Sequence, residues 1–179
     1  MEYFDRIISI GSDCSVAGGL RNIQFKEFSY PFDWNVTKLK FIKDCFSEKF
    51  KNFEDILDKC EVSRNGYLKY DNCIHFYHHD KIMSDSFKNK YKNRGQRLDN
   101  LLSENKKILF VRKGQKDTIK DLQILKKIIQ NSYPNLKFKI LLINNIKEES
   151  QQDNLIIHRY QNINCFLDFK NDNYFNRDV

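Results

Sequence analysis

Proline and glycine are scarce, with two and six in 179 residues, and no Gly/Ser-rich or low-complexity stretch interrupts the chain. That composition offers no interdomain linker, and we expect a single α/β domain over 1–179 with a polar, peripheral tail from about Asp168. No run approaches the roughly 20 apolar residues that a membrane-spanning helix needs. The opening Met1-Glu2-Tyr3-Phe4-Asp5-Arg6 lacks a basic and then apolar leader, so the expected location is cytoplasmic, with no membrane partner. The five cysteines, Cys14, Cys45, Cys60, Cys73 and Cys165, form no CxxC pair and show no metal-like spacing to the four histidines. Neither a disulfide framework nor a metal site is therefore expected. GxGxxG, Walker and HExxH patterns are also missing, which leaves dinucleotide, nucleoside-triphosphate and zinc-protease chemistry without a motif and no cofactor expected.

What is present supports a folded core: 40% of residues are hydrophobic and 14% aromatic. The net charge of +7 is spread over the chain, but Lys81 to Lys107 is denser, with eight basic against three acidic residues. That segment is the expected anion-facing surface. A nucleic-acid partner has this charge behind it but no recognition module or stacking platform.

Apolar, β-branched runs at Arg6–Ile10, Ile74–His78, Ile108–Arg112, Phe138–Asn144 and Leu155–Tyr160 alternate with helical patterns. The helices are expected at Val16–Arg21, Lys38–Phe50, Asn52–Lys59, Arg94–Leu102 and Asp117–Ser132. This rhythm predicts a three-layer α/β fold with a mostly parallel central sheet. The near-continuous apolar run Ile108-Leu109-Phe110-Val111 reads as a strand buried on both faces.

Cys14 stands where the first strand breaks into Gly11-Ser12-Asp13 and a helix begins. Unpaired N–H groups and the helix dipole favour a thiolate there, which predicts a lowered thiol pKa and a nucleophile. The alternative is a small packing cysteine in a tight turn. In Ser29-Tyr30-Pro31-Phe32-Asp33-Trp34 a carboxylate is held among aromatics. Asp33 then either caps the next helix or orients a histidine or substrate group. Ile74-His75-Phe76-Tyr77-His78-His79-Asp80 ends a strand on two histidines and an acid. Alternation puts His75, Tyr77 and His79 on one face and His78 with Asp80 on the other. If His79 is the base for Cys14, its acceptor is Asp33, or Asp80 folded back. Arg21, Arg94, Arg97 and Arg112 are candidate clamps for a carboxylate or phosphate, Arg112 also a candidate for a structural ion pair.

Taken together, Gly11-x-x-Cys14-x-x-Ala17-x-x-Leu20-Arg21, then Ser29-Tyr30-Pro31-Phe32-Asp33-Trp34, His79-Asp80, Arg94-x-x-Arg97 and Phe110-Val111-Arg112 resemble the papain-like cysteine peptidase family described in bacteria and large DNA viruses. The resemblance covers roughly residues 6–115. It implies a thiol-dependent hydrolase or acyltransferase of peptidase or amidase type, with Cys14 as nucleophile and His79 with Asp80 or Asp33 in support. Ser12, Arg21, Trp34, His78, Arg94, Arg97 and Arg112 are the expected substrate-binding residues, for a peptide, an amide or a small glycan-linked substrate. It also implies a papain-like α+β fold, against the parallel sheet that the periodicity predicts. A rival reading is a glycan-related transferase or binding module whose arginines line a phosphate or nucleotide-sugar pocket.

Overall fold

The computed structural model describes residues 3–24, 26–51, 53–77, 84–114, 117–144, 150–152 and 155–159. The first strand, β1 (Arg6–Ser9), turns into helix α1 (Ser15–Asn22). Then come β2 (Val36–Thr37), α2 (Leu39–Ser47), α3 (Phe53–Asp58), β3 (Glu61–Val62), β4 (Leu68–Tyr70) and β5 (Ile74–Phe76). The second half holds α4 (Asp85–Ser103), β6 (Lys107–Lys113), α5 (Ile119–Ser132), β7 (Lys137–Asn144), β8 (Ser150–Gln152) and β9 (Leu155–Arg159).

Two sheets result. The larger has the order β1-β6-β7-β9-β8, in which β1, β6, β7 and β9 run parallel and β8 pairs antiparallel at the edge. The smaller, β2-β5-β4-β3, is wholly antiparallel. The chain is thus a mixed α/β protein. The Ile74–His78 run, expected in the alternating α/β rhythm, contributes β5 to the smaller sheet instead, pairing with β2 and β4.

Register explains the faces of the parallel sheet. Ile8, Phe110 and Ile140 stand side by side and enter the main core with Leu122, Leu125 and Ile129 of α5. Phe46 of α2 meets the Phe110 ring edge-on at 5.5 Å. The next residues along the strands, Ile7, Leu109, Val111, Leu141 and Ile143, join Val16 and Leu20 of α1 in a second cluster. Four consecutive apolar residues in β6, Ile108 to Val111, are what burial of both strand faces demands. The main core also takes in Leu68, Ile74 and Phe76 from the smaller sheet.

Helix α4 begins nine residues before the expected Arg94, because Ser84 caps it. The Ser84 side chain accepts from the Phe87 N–H at 3.1 Å, and Asp85 sits in the first turn, where the helix dipole favours an acid. Gly95 in its middle keeps room for α3: a Cβ there would lie 3.4 Å from the Phe53 ring. Helix α5 is capped in the same way by Thr118, which accepts from Asp121 N. Among the described residues no helix is long and apolar enough to cross a membrane.

Candidate functional site

The turn that follows β1 bends sharply. Gly11 has φ +71° and Ser12 φ 79°, the left-handed region that a non-glycine residue enters only at a cost. Gly11 also meets the second sheet so closely that a Cβ there would stand 2.9 Å from Thr37 Cβ. This bend delivers Cys14 as the N-cap of α1, partly buried, beside the C-terminal ends of β1 and β6. Sites of parallel α/β sheets collect at that edge.

The thiol is not primed in the way its position predicts. Burial first and Asp13 second push the Cys14 pKa up, against a backbone hydrogen bond and Lys113, which pull it down. The cause is visible in the first turn of α1. Asp13 Oδ1 accepts from the Ser15 N–H at 2.8 Å and from the Ser15 hydroxyl, so a carboxylate already occupies the positive end of the helix. Lys113 closes the group, 3.3 Å from Ser15 Oγ and 3.7 Å from Asp13 Oδ2. The resting Cys14 is a thiol, and its use as a nucleophile requires a base.

Of the expected partners, His78, His79 and Asp80 lie outside the described residues. Asp33 is described and stands in other company: it is 1% exposed, its Oδ2 accepts from Tyr30 N, and Lys26 Nζ lies 2.7 Å away. Burial raises its pKa while Lys26 and Arg94 oppose the rise, so the carboxylate is an internal counter-ion of a basic cluster. His75 stacks on Tyr67 at 5.5 Å and its Nδ1 is 3.1 Å from the Tyr77 hydroxyl, within the smaller sheet.

Arg112 is 2% exposed and is tied to protein acceptors. Its Nη1 donates to Ile10 O at 2.8 Å, Nη2 to Thr37 O at 3.2 Å, and Nε and Nη2 to the Asp117 carboxylate at 2.6 and 3.2 Å. It joins the exit of β1, the smaller sheet and the loop before α5. That is the structural ion pair among the readings its position allowed.

Arg21, Trp34, Arg94 and Arg97 do come together. With Lys26 and Lys90 they line a cavity of about 340 Å³. It lies away from Cys14: Arg21 is seven residues further along α1, about 10 Å at the helical rise. Lys26 sits 4.3 Å from the centre of the Trp34 ring and Arg21 5.9 Å. The nearby Arg6–Glu27 bridge of 3.1 Å marks this as the end where β1 begins. Sequence reasoning missed Lys26, and it included Lys90 only as one of the basic residues of the Lys81–Lys107 segment, not as a site residue. The signal for Lys90 was present: 90, 93, 94 and 97 follow the spacing of one helical face, and all four positions line the cavity.

A family model described as "Putative papain-like cysteine peptidase" matches residues 5–148. The chain belongs to that family. An uncharacterized protein of Acanthamoeba polyphaga mimivirus is 30% identical over an alignment of 134 positions, which covers 59% of this chain and 60% of that relative. The chain thus spans less than two thirds of the viral protein's length. No solved structure matches at a significant level. The family match contains the Cys14 turn, the aromatic Asp33 segment, α4 and β6.

Proposed function

We propose that this member of the papain-like cysteine peptidase family is a thiol-dependent hydrolase or acyltransferase with Cys14 as its nucleophile. The observation that carries the reading is the left-handed Gly11-Ser12 bend, which presents Cys14 at the head of α1 on the C-terminal edge of the parallel sheet. A strained strand-to-helix turn holding a sulfur at that edge is an arrangement suited to attack on a carbonyl. We read α1, the parallel sheet, and α2 with α5 as three layers, the frame that holds this turn.

Because the resting group is a thiol, proton removal and attack are coupled. The base takes the Cys14 proton as the sulfur bonds to the carbonyl carbon of a peptide, amide or ester. The tetrahedral intermediate then expels the amine or alcohol, which receives that proton, and leaves a thioester. Water, or an acceptor nucleophile in a transferase, attacks the thioester and restores the thiol. N–H groups at the start of α1 are the candidate oxyanion donors, although Ser15 N is already engaged by Asp13. We assign the base to His79, with Asp80 as the acid behind it, on the family resemblance. Asp33 and Arg112 we assign to the scaffold, on the contacts they make.

The test is acylation by p-nitrophenyl acetate followed by intact-mass and peptide mapping. One acetyl group on Cys14, formed in a burst, lost in Cys14→Ala and slowed in His79→Ala, is the expected result. Acetylation that persists in Cys14→Ala, or that spreads evenly over the cysteines, would overturn the assignment.

A further inference from the structure

The cavity at the far end of α1 stands about 10 Å of helix away from Cys14, and its composition points to a ligand of its own. Five basic residues line it, Arg21, Lys26, Lys90, Arg94 and Arg97, against one acid, Glu27, which is turned to Arg6 at 3.1 Å. Cations gathered in one concavity repel each other through a medium of low dielectric, and an anionic guest relieves that repulsion. The crowding already shows in Lys26, whose pKa is lowered by burial and further by Arg94 and Arg21, even though Asp33 opposes it.

Three features narrow the guest. Arginine forks match the paired oxygens of a phosphate, and here three of them converge from two helices. Their heads are positioned: Arg94 is 4% exposed and lies 5.0 Å over the Tyr91 ring, and Arg97 donates to Ser29 O at 2.8 Å. Aromatic surface flanks them, since Trp34 forms part of the wall and Phe28, 47% exposed, lies 5.2 Å from the Arg97 guanidinium. A cavity of about 340 Å³ is near the lower bound for small-molecule sites, which suits a monomer and excludes a polymer as the enclosed group. We infer that this cavity binds a phosphomonoester carried on a ring, a sugar phosphate or nucleoside monophosphate, with the phosphate on Arg21, Arg94 and Arg97 and the ring beside Trp34.

Trp34 is the chain's one tryptophan, so intrinsic fluorescence reports on the site directly. The full-length protein is titrated with inorganic phosphate, glucose 1-phosphate and uridine 5′-monophosphate at fixed low ionic strength, with sodium chloride as the control. A saturable change is expected, with at least one ring-bearing phosphate about tenfold tighter than inorganic phosphate and all affinities falling as salt is added. Arg21→Ala and Arg97→Ala, both at exposed positions, should each weaken binding about tenfold or more while thermal unfolding stays cooperative. Cys14→Ser should leave the affinity unchanged, so this result and the acylation result succeed or fail separately. Absence of a saturable change with every phosphate, or affinity unmoved in both arginine variants, would overturn the proposal. Equal affinity for inorganic phosphate and both ring compounds would overturn the ring.

Discussion

Arg112→Met is the substitution that tests the architecture most directly. The guanidinium is 2% exposed and holds three segments at once, through Ile10 O, Thr37 O and Asp117. Methionine keeps much of the apolar stem but deletes every donor. Asp117 then loses the partner it meets at 2.6 Å while its own side chain is only 14% exposed, and two backbone carbonyls lose a charged donor. Removing one member of a buried ion pair costs about 3–5 kcal/mol. Water reaching Asp117 reduces that penalty, so we take the lower half of the range, about 3–4 kcal/mol. For a chain of this size each kcal/mol lowers the melting temperature by about 2–4 °C, which predicts a fall of roughly 6–16 °C. Urea unfolding should show the midpoint moving with little change in slope. The double variant Arg112→Met/Asp117→Asn should recover more than about 1 kcal/mol of the loss, because it removes the uncompensated charge. Arg112→Lys should fall between, since a point charge cannot reproduce the fork. If Arg112→Met stays within about 1 kcal/mol of the parent, the guanidinium does not fasten the two sheets and its burial needs another explanation.

Three further outcomes are expected. Gly11→Ala combines an unfavourable positive φ with a Cβ that would stand 2.9 Å from Thr37 Cβ, so urea unfolding should show a loss of about 2–3 kcal/mol, and Cys14 acylation should slow as the bend shifts. Asp33→Asn leaves Lys26 buried without its counter-ion and should cost about 3–5 kcal/mol at pH 7. Lys26 has a folded pKa below its ordinary value, so its burial as a cation costs stability in full below the folded pKa and that cost fades as the pH rises towards the ordinary value near 10.5; the loss should therefore shrink as the pH approaches 10, and a deficit independent of pH would refute the pairing. Iodoacetamide labelling of Cys14 should climb steadily from pH 7 to 10, since its thiol is raised, with Cys60, pushed up to about 12, and the buried Cys45 staying nearly unlabelled. A plateau in Cys14 labelling below pH 7 would show a standing thiolate and contradict the role given to Asp13.

Long, patterned elements were legible in the sequence, and short ones were not. The runs that became β1, β6, β7 and β9 differ from expectation by a residue or so at each end, because alternating or continuous β-branched residues over four or more positions have few other uses. The strands β2, β3 and β4, two or three residues each, carry no such period, and they exist because β5 and its neighbours pair in three dimensions. The parallel sheet that the periodicity predicts is present in the four parallel strands of the larger sheet, and the smaller antiparallel sheet is what periodicity could not show. At the site, the strand-to-helix pattern located the Cys14 turn, and the sequence singled out the cavity's three arginines, Arg21, Arg94 and Arg97, but grouped them with Arg112. It could not show that Asp13, adjacent to the sulfur, would occupy the helix end, since a turn residue's rotamer depends on Ser15 and on Lys113, 100 positions away from Asp13.

The length of α1 separates the two chemistries. Its first residue follows the sulfur, and its last turn carries Arg21 into the basic cavity, so about 10 Å of helix stands between a reacting carbonyl and a bound phosphate. A phosphorylated monomer seated beside Trp34 fills a cavity of about 340 Å³ and does not span that distance as well. The cavity's ligand is therefore not the group attacked by Cys14, unless a substrate runs the length of the helix. These cases make different demands on the double variant Cys14→Ser/Arg97→Ala. With separate ligands, the effect of Arg97→Ala on phosphate affinity is the same with or without Cys14, as expected for sites that share no contacts. With one long substrate, acylation at Cys14 depends on the arginines, and saturating the cavity with a small phosphate competes with it. The shared contacts of the basic cluster, Lys26 on Asp33 and both beside Arg94, couple the arginines to one another and to the aromatic Asp33 segment. A path of contacts also leads to the Gly11-Ser12 bend, since Tyr91 hydrogen-bonds both Arg94 and Asn35, Thr37 donates to Asn35 Oδ1, and Thr37 packs against Gly11, so the double variant measures how much energy that path carries.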